Sequence, residues 1–62
     1  MNPQVILYVD VNIAPGRQER VIVYDGDTPE ELATEFCKEY GLDSRMEKKL
    51  FELLKSEMES LL

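Results

Sequence analysis

The run Val5-Ile6-Leu7-Tyr8-Val9 constrains this chain more than any other stretch, because every position in it is apolar. It continues as Asp10-Val11-Asn12 and is rich in valine, isoleucine and tyrosine, which predicts a β-strand over residues 4–12. Side chains alternate along a strand. Val5, Leu7, Val9 and Val11 should therefore point one way, and Ile6, Tyr8, Asp10 and Asn12 the other. A second strand is expected over 19–24, with Val21 and Val23 on one face and Ile22 and Tyr24 on the other. Between the two, Pro15-Gly16 suits the centre of a type II turn, since proline presets its own φ and glycine accepts a positive one. The expected unit is an antiparallel hairpin with large apolar side chains on both faces.

Two helices follow. Thr28 is a good N-cap, Pro29 suits the first helical position, and Glu31 stands where a capping box needs it. Leu32, Ala33, Phe36, Cys37 and Tyr40 form an apolar stripe. Gly41 then Leu42 predicts a Schellman ending. Asp43 can cap a second helix from 44 to the end. Its apolar residues make two seams, one of Met46, Leu50, Leu53 and Leu54, the other of Phe51, Leu54, Met58 and Leu61 with heptad-like spacing. The fold class expected is α+β, a single small ββαα domain over residues 1–62 that is completed by dimerisation and belongs to a longer protein.

Size makes that completion an issue. A chain of about 60 residues buries only roughly 60% of the surface its unfolded form exposes. Small domains usually add disulfides, a metal or self-association. Cys37 is the sole cysteine and there is no histidine, so an internal disulfide and the common zinc ligand sets are excluded. The apolar fraction of 44% is that of a folded domain rather than a disordered one. The net charge of −6 argues against a nucleic-acid partner. The longest apolar run is too short to cross a bilayer and no charged leader precedes it, so no membrane partner and a cytoplasmic location are expected.

The segment DGDTPEELATEFCKEYGL, placed after a hairpin, resembles the acidic turn, capped helix and following glycine of the ubiquitin family. The resemblance covers residues 5–42. It implies the opening half of a β-grasp fold, with Leu32, Phe36 and Tyr40 packed on Val5, Leu7, Val9, Val21 and Val23. It then stops, because the family continues with further strands where this chain enters a helix, and there is no Gly-Gly tail for conjugation. The longer phrase LYVDVNIAPGRQERVIVYDGDTPEELATEFCKEYGLD is similar to a small module at the ends of large cytoskeletal or flagellar proteins of protists.

No serine–histidine pair, phosphate loop or CxxC motif is present, so no enzyme, no cofactor and no small-molecule substrate are expected. Asp25, Asp27, Glu30 and Glu31 could hold calcium, but DGDTPEE breaks the ligand spacing of an EF-hand loop and helix capping accounts for the same residues. Cys37 reads as a small core residue or a reactive thiol. Arg17 and Arg20 read as a solvated loop or a grip on an acidic partner. Two arrangements fit the doubly apolar hairpin. In one, the second helix folds over the far face and closes a monomer. In the other, that face is an association surface formed by Ile6, Tyr8, Ile22 and Tyr24 with Phe51, Leu54, Met58 and Leu61. The function expected is association of copies of a parent chain, cytoskeletal in setting, as a homodimer. The alternative is recognition of a segment of a different protein by strand addition or helix-in-groove binding.

Overall fold

A computed structural model describes residues 3–61 and contains a ββαα chain, a hairpin followed by two helices. β1 spans Val5–Ala14 and β2 spans Arg17–Tyr24, both longer than the sequence pattern indicated. They pair antiparallel around Pro15-Gly16, where Gly16 takes φ +73, the positive value that the third position of a type II turn requires. The strands differ by two residues in length, and two register shifts in β1 absorb the difference. One lies at Ile13, beside the turn, and supplies local twist that a type II turn lacks. The other lies at Ile6, so that Val5 pairs with Tyr24 while Leu7 pairs with Val23.

α1 spans Pro29–Tyr40, with Thr28 Oγ1 accepting from the Glu31 amide at 3.3 Å. Gly41 ends it at φ +65, and the amide of Leu42 donates to the Cys37 carbonyl at 2.9 Å, the long-range bond of the Schellman motif. After a three-residue connection, 41–43, α2 spans Ser44–Glu59. Asp43 Oδ1 accepts from the Met46 amide at 3.0 Å.

Both helices lie on the same face of the hairpin, α1 along β2 and α2 along β1. The closed monomer with one helix on each face does not form. The short link between the helices is the physical reason, because it holds them as antiparallel neighbours and each buries part of its stripe on the other. The core draws Val9, Val11, Val21 and Val23 from the sheet, Ala33, Phe36 and Cys37 from α1, and Leu50 and Leu54 from α2. The packing implied by the ubiquitin resemblance is therefore shifted around α1. Leu32 and Tyr40 are half-buried at the flanks, Ala33 and Cys37 take the centre, and Val5 leaves the core. Leu53 of the first expected seam is exposed on α2, and Leu61 of the second lies past the end of the helix, in a turn, and is exposed as well.

Candidate functional site

The outer face of the hairpin carries no helix. Towards its open end stand Val5, Tyr8 and Ile22, exposed by 42%, 57% and 39%, with Tyr24 half-buried beside them. Tyr8 pairs directly with Ile22 and Val5 with Tyr24, so these four form one cross-strand patch. Towards the turn the face becomes polar. Asp10 pairs with Arg20, and Arg20 Nε donates to Asp10 Oδ1 at 3.0 Å. The same guanidinium stands 5.3 Å from the centre of the Tyr8 ring, which closes one side of the patch with a cation–π contact.

The expected interface residues do not form one surface. Tyr8, Ile22 and Tyr24 share the outer face. Ile6, at the register shift, belongs elsewhere: it lines a groove with Met58 and Leu61 at the end of α2. Phe51 is half-buried and borders a cleft between the two helices, with the Lys55 ammonium 6.0 Å from its ring. Leu54 is fully buried, so it offers no area to a partner and serves the core instead. Because α2 lies on the inner face, its residues cannot join Tyr8 and Ile22 in a single patch. Val5 is the residue that alternation missed. No glycine or proline marks the register shift at Ile6, and only the pairing of the strands reveals it.

The remaining candidates have local structural roles. Asp27 Oδ2 accepts from the Tyr24 amide at 2.9 Å, and the Asp27 amide donates to the Tyr24 carbonyl at 3.0 Å. That carboxylate closes the end of β2, and no group of three or more metal-ligating side chains gathers among the described residues. Arg17 Nε bonds Glu19 Oε1 at 3.3 Å, while its guanidinium lies 5.9 Å from the Tyr40 ring. The Tyr40 hydroxyl donates to Glu19 Oε2 at 3.3 Å, and burial, then Glu19, pushes its pKa up. Arg17 and Arg20 are thus both engaged within their own chain. Cys37 is buried and free, and burial, aided by Glu47 and Asp43, pushes its thiol up, away from a reactive thiolate. No helix among the described residues is long and apolar enough to cross a membrane. Comparison with known proteins gives no matching family model, no matching curated protein and no matching solved structure.

Proposed function

We propose that this chain is a non-enzymatic association module that joins two copies of itself through the outer face of the hairpin. The observation that carries the reading is the patch of Val5, Tyr8 and Ile22, left exposed while the chain spends both helices on the other face. Two such faces packed together give an αα–ββ–ββ–αα sandwich, with the hairpins about 10 Å apart. The isolated hairpin is marginal as a sheet, and a second copy supplies the layer it lacks. On this reading the β-grasp-like half is a scaffold whose missing strands are replaced by α2 on one side and by the partner copy on the other.

The polar end sets the limits of the interface. Asp10 and Arg20 neutralise one another, so they can sit at the rim without an unpaired charge. Each copy carries a net charge of −6, so the copies repel at long range. Added salt screens that repulsion and strengthens the dimer.

Sedimentation equilibrium over a wide concentration range tests the reading. The expected result is a monomer–dimer equilibrium that shifts towards dimer with salt. Ile22→Asp should raise the dissociation constant at least tenfold, about 1.4 kcal/mol, because it removes apolar area and places a carboxylate in each half of the interface. A chain that stays monomeric at every concentration, or a dimer indifferent to Ile22→Asp, rules the reading out.

A further inference from the structure

A groove of about 420 Å³ opens at the end of the molecule away from the hairpin turn. It lies where the start of β1, the acidic turn before α1 and the last turn of α2 come together. Ile6, Pro29, Met58 and Leu61 supply its apolar lining. Ile6 is 44% exposed and Leu61 53%, so the described residues leave much of both open. Around them stand the carboxylates of Asp25, Asp27, Glu30 and Glu59, and Lys55 is the single cation of the lining. Asp25, Glu30 and Glu59 form no ion pair among the described residues.

We propose that this groove docks a partner segment that presents one or two large apolar side chains flanked by lysine or arginine. The apolar lining takes the side chains and the carboxylates pair with the flanking cations. Four carboxylates face one ammonium, so the charge of the site selects a basic occupant. The same charge disfavours a second copy of this chain, which carries 13 acidic residues against 7 basic ones. The groove is open to solvent rather than enclosed, which suits one face of a helix with apolar positions three or four apart. This surface is distinct from the outer hairpin face, because none of Val5, Tyr8, Ile22 and Tyr24 lines the groove.

The experiment is a fluorescence titration of the full chain with a short amphipathic peptide of leucine and lysine. Two control peptides are titrated alongside, one with glutamate replacing lysine and one with serine replacing leucine. The expected result is saturable binding of the leucine–lysine peptide that weakens as salt rises, with both controls at least tenfold weaker. Glu59→Lys, and the double variant Ile6→Ser with Leu61→Ser, should each weaken binding fivefold or more. Ile22→Asp should leave it unchanged, which separates this site from the dimer face. Circular dichroism checks that each variant folds, and the exposed Glu59→Lys decides the matter if the double variant does not. Equal binding of the serine control, or unchanged binding by Glu59→Lys, overturns the proposal. Loss of the dimer in the folded double variant also overturns it, since a second copy would then occupy the groove.

Discussion

Val5 lies directly across the hairpin from Tyr24, so the two side chains stand together on the outer face although Val5 has the sequence parity of the buried Val9 and Val11. The extra residue at Ile6 causes the exchange. A one-residue slip moves every side chain beyond it to the opposite face. It takes Val5 out of the core and adds it to the apolar patch.

That exchange separates two neighbouring substitutions. Val5→Asp should weaken self-association at least tenfold, while Ile6→Asp should leave the dimer intact, because Ile6 lines the groove at the end of α2. Sedimentation of the two variants at matched concentration checks this. Dissociation by Ile6→Asp alone would contradict the register described above.

Leu53 and Leu54 are adjacent and chemically identical, yet Leu54 is fully buried and Leu53 is 38% exposed. Leu54→Ala should cost about 2–5 kcal/mol, enough to unfold a domain of marginal stability, whereas Leu53→Ala should cost under about 1 kcal/mol. Urea denaturation followed by circular dichroism reads both.

Gly41 holds φ +65 with open space around the position of an added Cβ. Gly41→Ala therefore meets no clash and suffers only the backbone penalty of a left-handed conformation, about 1 kcal/mol. Thermal melting at fixed protein concentration should show a drop of several degrees. A variant as stable as the parent would mean that the helix ends differently.

The Cys37 thiol, raised by burial, makes stability fall on the alkaline side. The folded state holds its proton to higher pH than the unfolded state. Its contribution is therefore complete below the unfolded pKa and is lost as pH rises from that value towards the folded one. Tyr40, raised by burial and then by Glu19, adds the same sign of change above about 10. Denaturation at about pH 7 and about pH 9.5 should show lower stability at the higher pH, with part of the drop removed in Cys37→Ala. Alkylation of the native thiol should be slow and should accelerate in denaturant.

The helices and three of their four limits were legible in the residues themselves; the second helix was expected to run to the end of the chain and stops at Glu59. Thr28, Pro29, Gly41 and Asp43 act within a few positions of where they stand, so propensity and capping chemistry locate α1 and α2 without tertiary information. The Pro15-Gly16 turn and the inward Val9, Val11, Val21 and Val23 follow in the same way from local geometry and alternation. The opposition of Asp10 and Arg20 was visible as charge in the sequence but not as a pair, because pairing depends on register.

The candidate site was only half legible. Tyr8, Ile22 and Tyr24 could be assigned to one face by parity, since no slip intervenes between Tyr8 and Asn12 or along β2. Val5, Ile6 and the end of α2 could not, because their positions follow from a register shift and from which face the second helix covers. Local preference carries the amino-acid sequence as far as two strands, two helices and their apolar stripes. The tertiary structure alone decided that both helices share one side of the sheet, that Leu54 is core, and that the hairpin's other face stays open. That choice is a competition for buried area among distant residues, and no short window of sequence contains all the competitors.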